Sequence, residues 1–124
     1  TSIAQVAAEA ALNGDQECVA TMVRAFKERH DHVVSRLNRL RGVRCLPSQG
    51  TFYAFPDFSK AVASMDGVKN DTELAEYILN KAEVALVPGS AFGAEGHLRF
   101  SYATSMETLD KALDRLETLL GTAT

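Results

Sequence analysis

Apolar residues recur at helical spacing in the first third of the chain. An alanine-rich run extends from Ser2, a residue that can cap a helix, to about Leu12. A longer helix is predicted from a cap at Asp15 to an end at Gly42. Its apolar positions are three or four residues apart: Val19, Met22 or Val23, Phe26, His30, Val33, Leu37 and Leu40.

The same spacing returns twice in the second half of the chain. One helix is predicted to start at Asp71 or Thr72, and another to run from a cap at Thr104 or Ser105 to Gly121. Their apolar faces are Leu74, Ala75, Ile78, Leu79 and Ala82, and Met106, Leu109, Leu113, Leu116 and Leu120. The stretch 57–71 is expected to be irregular, with one helical turn near residues 59–63.

Short β-branched or aromatic runs separate these helices and predict strands. They cover residues 43–46, 50–55, 83–87 and 97–102, and Pro47 and Pro56 end the first two. The resulting order, ααββαββα, predicts an α+β fold with a small, mostly antiparallel sheet of three to four short strands packed against helices.

Composition narrows the range of partners. The 124 residues are 46% apolar and 23% charged, which suits one globular domain. A net charge of -3 gives no reason to expect a nucleic-acid partner. No apolar run reaches the roughly 20 residues of a membrane span, so no membrane association is expected.

Cysteine and histidine do not indicate a metal or disulfide site. Cys18 and Cys45 are interpreted as reduced thiols of a cytosolic protein. His30 and His32, two residues apart on a helix, do not face each other, and His97 lies on a strand. His30, on the apolar side of the long helix, is interpreted as a hydrogen-bonded core residue.

Arg99 is the strongest candidate for chemistry. Side chains alternate along a strand, so Leu98, Phe100 and Tyr102 share one face, and His97, Arg99, Ser101 and Ala103 share the other. An arginine in an apolar segment needs an anionic partner, and its planar fork suits a carboxylate. The alternative is an edge-strand arginine that stacks on an aromatic ring and pairs with a surface carboxylate.

Three stretches of the sequence support a family assignment. They are Thr-Ser-Ile-Ala-Gln at 1–5 before the alanine-rich helix, Gly-Thr-Phe-Tyr-Ala-Phe-Pro-Asp at 50–57, and the run from Val84 to Ser105 that contains Pro-Gly-Ser-Ala-Phe-Gly and Leu-Arg-Phe-Ser-Tyr-Ala. In this order and spacing, they resemble the C-terminal part of class I/II pyridoxal-phosphate aminotransferases of fold type I. The subgroup that the chain resembles most is that of the bacterial aspartate aminotransferases.

The resemblance implies a domain organisation and a set of site residues. Residues 1–14 would be a lead-in helix from the junction with a large domain, and residues 15–124 the small C-terminal domain. Arg99 would bind the substrate's α-carboxylate. Ser90 and Phe92, from the preceding loop, and Phe52, from the strand at 50–55, are weaker candidates for substrate contact. No residue of this chain is predicted to be catalytic.

The resemblance also implies what the chain would lack. The Schiff-base lysine and the groups that hold pyridoxal 5'-phosphate lie upstream of the Thr-Ser-Ile-Ala-Gln stretch in the family. The sequence, which begins inside a helix-entry signal without Met, is therefore expected to be an inactive piece that does not bind the cofactor alone. The whole enzyme would be a cytoplasmic homodimer with an N-terminal large domain, acting on amino-acid and 2-oxo-acid substrates.

Other functions remain open at this point. The same fold could serve a different transaminase or a lyase, since a carboxylate clamp suits any α-amino acid. The chain could also be a free-standing α+β module that binds a small carboxylate ligand, or a purely structural interaction domain.

Overall fold

A computed structural model describes residues 1–123 and confirms the α+β class. The elements are α1 (Ser2–Asn13), α2 (Glu17–Leu37), β1 (Tyr53–Ala54), α3 (Ser59–Ala63), α4 (Asp71–Ala82), β2 (Val87–Pro88), β3 (Leu98–Ser101) and α5 (Met106–Leu120). A 3₁₀ turn, Gly89–Phe92, leads from β2 towards β3. The single helical turn expected near residues 59–63 is confirmed as α3.

The sheet has β3 at its centre. Its order is β1-β3-β2, and both pairs are antiparallel. Tyr53 of β1 lies opposite Ser101, and Val87 of β2 lies opposite Arg99. Arg99 is therefore on the central strand, which contradicts the edge-strand alternative. Each neighbouring strand can place a side chain beside it.

The core lies on the other face of β3. Leu98, Phe100 and Tyr102 are all buried, as the alternation along the strand predicts. The helices cover this face with Val33 and Leu37 of α2, Leu74 and Ile78 of α4, and Leu109, Leu113 and Leu116 of α5. Each such side chain contributes about 1.5–3 kcal/mol by leaving water, so the core fixes which face of β3 carries Arg99.

The predicted strand at 43–46 is wrong, and α2 ends at Leu37 instead of Gly42. One side chain accounts for both differences. The amide of Asn38 donates to the Cys45 carbonyl at 2.8 Å, and its oxygen accepts the Cys45 N–H at 2.9 Å. These bonds take the place of a strand partner, so only Arg44 forms a bridge, with Asp57.

The other three strands are shorter than predicted. The run at 50–55 keeps only Tyr53–Ala54, and the run at 97–102 keeps Leu98–Ser101. The run at 83–87 becomes Val87–Pro88. Its start is lost because Glu83 has the left-handed conformation that ends α4, with φ at 55°.

The helix caps in the N-terminal part differ from the prediction by one residue. Ser2 is already inside α1, and Thr1 has the cap position without a side-chain hydrogen bond. At α2 the cap position belongs to Gln16, although Asp15 accepts the Glu17 N–H at 3.1 Å. The sequence therefore located both helix starts without identifying the cap residue.

The C-terminal helices agree better with the sequence. α4 starts at Asp71, as predicted, and Asn70 caps it by accepting an N–H of its first turn. Ser105 caps α5 and Gly121 follows its last residue, as predicted. Leu79 was assigned to the apolar face of α4 but is half exposed.

The N-terminal part of the molecule leaves apolar side chains in solvent. No residue of α1 is buried, and Ile3 and Leu12 are 85% and 80% exposed. Val19, Met22 and Val23, in the first half of α2, are at least half exposed. None of the helices in residues 1–123 is both long and apolar enough to span a bilayer.

Candidate functional site

Arg99 contacts one aromatic ring from each flank of β3. Its Cζ atom lies over the Tyr53 ring, 4.4 Å from the centroid, and over the Phe92 ring at 5.0 Å. Tyr53 belongs to β1, and Phe92 ends the turn after β2. Contacts of this kind stabilise a guanidinium and restrict its orientation. Both contacts follow from the sheet order, which places β1 on one side of Arg99 and β2 on the other.

Arg99 has no anionic partner within residues 1–123, where no carboxylate oxygen lies within the 4.0 Å of an ion pair. The partly buried Arg36 is a useful contrast. Its guanidinium reaches Asp114 at 2.6 Å and Glu117 at 2.7 Å and thereby links α2 to α5. Arg36 has its counterions inside the fold, whereas the charge of Arg99 is available for a ligand.

A cleft of about 470 Å³ opens beside Arg99. Its walls come from α2, the segment 46–51, β1 and the turn with Phe92. Most of the lining is apolar, including Val34, Leu46 and Phe55. Arg99 is the only arginine or lysine that lines the cleft in the described part of the chain. A small anion that enters the cleft therefore meets one cation on an apolar wall, where the attraction is stronger than in bulk water.

His30 fixes the opposite wall of the cleft. Its Nδ1 lies 2.9 Å from the Asp31 carboxylate, and its Nε2 accepts the Ser48 N–H at 3.0 Å. The Tyr102 hydroxyl donates to the Thr51 carbonyl at 3.1 Å. These bonds tie the segment 46–51 to α2 and to Tyr102, the residue after β3. The interpretation of His30 as a hydrogen-bonded core residue is confirmed.

The turn Gly89–Phe92 is held by its backbone. The Gly89 N–H donates to the His97 carbonyl at 2.7 Å, and the Ala94 N–H donates back to Gly89 at 3.0 Å. A Cβ at position 89 would lie 2.3 Å from the Ala94 oxygen, which explains the glycine. The Ser90 N–H donates to the buried Asp71 carboxylate at 2.7 Å. Ser90 lines a second, separate cleft with Asp71 and not the cleft of Arg99.

The structure brings Arg99 and Phe92 together but places Phe52 elsewhere. Phe52 is 42% exposed, does not line the cleft, and packs against the far side of the site on Tyr53, with 4.2 Å between ring centroids. Tyr53, which was not among the predicted site residues, is the β1 residue that contacts Arg99 and lines the cleft. Because side chains alternate along a strand, Phe52 and Tyr53 lie on opposite faces, and only the pairing of Tyr53 with Ser101 shows which of them shares the face of Arg99.

Other reactive groups of residues 1–123 lie outside the cleft. Both cysteines are free, Cys18 exposed and Cys45 buried, and burial raises the pKa of the Cys45 thiol to about 11. A thiol with such a pKa stays protonated and unreactive at neutral pH. No three potential metal ligands come together in this part of the chain.

Comparisons with known proteins give a consistent result. Residues 1–116 match the model of a family described as aminotransferase class I and II. An aspartate/prephenate aminotransferase of Nitrosomonas europaea is 51% identical over 96% of this chain. The crystal structure of the aspartate aminotransferase of Rhizobium meliloti superposes on 99% of the chain with a TM-score of 0.89 and 38% identity. An alanine aminotransferase of Pyrococcus furiosus superposes on 94% with a TM-score of 0.86 and 35% identity.

The chain is much shorter than these proteins. It spans 31% of the Nitrosomonas relative, 32% of the Rhizobium chain and 29% of the Pyrococcus chain. The match therefore concerns about a third of a larger protein in each case.

Proposed function

We propose, from the premise that this chain belongs to the class I and II aminotransferase family, that it is the C-terminal part of such an enzyme and supplies the arginine that binds the substrate's α-carboxylate. The whole enzyme would transfer an amino group between an amino acid and a 2-oxo acid. Aspartate is the expected amino donor, because relatives named for aspartate are among the most similar. The proposal rests mainly on one observation: Arg99 lines the cleft and has no counterion among the described residues.

The α-carboxylate is the anion that best suits this arrangement. Every α-amino acid and every 2-oxo acid carries one, so one arginine can serve both halves of the reaction. The guanidinium fork can donate two parallel hydrogen bonds to it. Tyr53 and Phe92 contact the guanidinium and limit the orientations that it can adopt. Phe52 enters the proposal only as a support for the Tyr53 ring, and Ser90 only through its backbone.

Pyridoxal 5'-phosphate, on which this family depends in general, does not fit the residues of this chain alone. A Schiff base needs a lysine, and none of Lys27, Lys60, Lys69, Lys81 and Lys111 lines the cleft of Arg99. We expect the lysine and the cofactor-binding groups to lie in the part of the enzyme outside this chain. Residues 1–124 by themselves are expected to be inactive.

The exposed apolar face of α1 supports the proposal that another part of the enzyme covers this helix. Ile3 and Val6, three residues apart on one face of the helix, are 85% and 66% exposed, and such side chains are normally covered. In the proposal α1 is the lead-in helix at residues 1–14, and the N-terminal large domain covers it. The full-length enzyme is expected to be a homodimer in the cytoplasm.

Steady-state kinetics of the full-length enzyme test the proposal. Arg99→Ala should lower kcat/KM by about 2–5 kcal/mol equivalent, because a charge-paired fork is lost. Arg99→Lys should recover only part of this, since an ammonium cannot make the two parallel bonds. The matched control is Arg29→Ala: Arg29 also lies over a ring, Phe26 at 5.2 Å, but not in the cleft. Equal kinetics for the Arg99 and Arg29 variants would contradict the proposal.

A further inference from the structure

A buried carboxylate lies behind the turn that carries Phe92. Asp71, the first residue of α4, is 2% exposed, and its Oδ2 accepts the Ser90 N–H at 2.7 Å. Burial raises the pKa of Asp71, but hydrogen bonds from Ser90 and from the Gly96 backbone outweigh it and hold that pKa below its usual value. Asp71 is therefore ionised at neutral pH, although it is almost fully removed from solvent.

The Asp71 carboxylate has no ion-pair partner in the described part of the chain: no lysine, arginine or histidine of residues 1–123 forms an ion pair with it. Burying an ionised carboxylate without a counterion costs free energy. Its presence here is explained if the hydrogen bonds that it accepts are needed to hold another part of the structure. One of these bonds, 2.7 Å long, comes from the backbone of the turn. The role of Asp71 must therefore be sought in what this turn holds.

The backbone of the turn is the main constraint on the position of the Phe92 ring. The Phe92 ring is 53% exposed, lies roughly perpendicular to the Phe55 ring at 6.2 Å between centroids, and contacts the guanidinium of Arg99. Packing alone does not fix a ring that is half in solvent. Its position depends on the backbone of residues 89–92, which Asp71 anchors at Ser90.

We infer that Asp71 is a positioning residue for carboxylate binding: by anchoring the turn at Ser90, it keeps the Phe92 ring against Arg99 and so keeps the guanidinium oriented towards the cleft. The inference rests on the proposed function, since it assigns Asp71 a part in the work of Arg99. Asp71 acts through the turn and touches neither Arg99 nor the cleft.

Kinetics of Asp71 variants of the full-length enzyme test the inference. Asp71→Ala should raise KM for both the amino acid and the 2-oxo acid, by about 5- to 10-fold, because mutations of this indirect kind modulate a site modestly. The change should appear mainly in KM, since Arg99 holds the carboxylate equally before and during the reaction. Asp71→Asn should restore much of the loss, because its amide oxygen can still accept the Ser90 N–H.

A control separates positioning from stability. Asn70 is the adjacent residue, and its side chain caps the same helix by accepting the Glu73 N–H at 2.9 Å. Asn70→Ala should lower the stability of α4 but leave both KM values unchanged. Equal KM values for Asp71→Ala and Asn70→Ala would overturn the inference.

A double-mutant cycle with Phe92→Leu gives a second, sharper readout. If Asp71 acts through Phe92, the increases in KM from the two substitutions should be clearly less than additive. The cycle is repeated with Asp71→Leu, which fills similar space but cannot accept the Ser90 N–H, so that a poorly folding Ala variant still leaves a result. Additive effects in both cycles, with the expected loss for Arg99→Ala, would overturn this inference alone. Unchanged kinetics for Arg99→Ala would overturn the proposed function and this inference with it.

Discussion

The guanidinium of Arg99 lies over the ring of Tyr53, with 4.4 Å between Cζ and the ring centroid. The two residues are 46 positions apart, and the antiparallel pairing of β1 with β3 brings them together. The contact matters because Arg99 has no carboxylate in the described residues to orient it. An aromatic ring restricts the orientation of the guanidinium without neutralising its charge, so the charge stays available to a ligand.

The ring of Tyr53, and not its hydroxyl, should therefore matter to substrate binding. Tyr53→Phe should leave kcat/KM of the full-length enzyme close to normal. Tyr53→Leu should lower it by about 0.5–2 kcal/mol equivalent, the usual range of a cation–π contact. Steady-state kinetics with saturating co-substrate measure both. A larger loss in Tyr53→Phe than in Tyr53→Leu would show that the hydroxyl does the work instead.

The sequence predicts most of the fold for a physical reason. Apolar positions of α2, α4 and α5 recur every three or four residues, and those of β3 recur every two, because each element buries one face. The same alternation predicted that Arg99 lies on the other face of β3 from Leu98 and Phe100. The motif around Arg99 then identified the family that the comparisons show.

The missed features depend on contacts between distant residues. Nothing local in the run at 43–46 reveals that the side chain of Asn38 forms hydrogen bonds with the backbone N–H and carbonyl of Cys45. Tyr53 could not be preferred to Phe52 before the register with Ser101 was known. Asp71 looked like an ordinary helix start, and only the fold brings the Ser90 N–H, 19 residues away, to its carboxylate.

Gly89 should be intolerant of any side chain. A Cβ there would lie 2.3 Å from the Ala94 oxygen and 2.7 Å from the His97 Cβ. Gly89→Ala should therefore lower the free energy of unfolding by about 1–3 kcal/mol, as overpacking does. Gly50→Ala is the control, since no atom lies within 4 Å of its added Cβ. Urea unfolding compares the two, and equal midpoints would show that the turn accommodates the methyl group.

The ionised Asp71 should make stability depend on acid pH. The pKa of Asp71 in the fold lies below its ordinary value of 3.8. Asp71 therefore adds stability above pH 3.8, and this contribution is lost as the pH falls through the lowered pKa. The stability difference between wild type and Asp71→Asn, measured by urea unfolding, should be largest near pH 7 and shrink below pH 4. A difference that does not change with pH would contradict the assignment of charge.

The exposed face of α1 should drive association of the 124-residue chain on its own. Ile3 and Val6 offer an apolar surface that in the proposal belongs against the large domain. Light scattering over a concentration series should show self-association that weakens when residues 1–14 are deleted. A chain that stays monomeric, with or without this helix, would indicate that α1 is not a detached interface.

In the proposed function, Arg99 recognises the α-carboxylate itself. The most direct test compares the α-amino acid with its uncharged α-amide as amino donors for wild type and Arg99→Ala. Wild type should prefer the carboxylate strongly, and Arg99→Ala should lose most of that preference, because the group that reads the charge is gone. If Arg99→Ala kept the full preference for the carboxylate, another residue would bind it, and the account of Arg99 would be wrong.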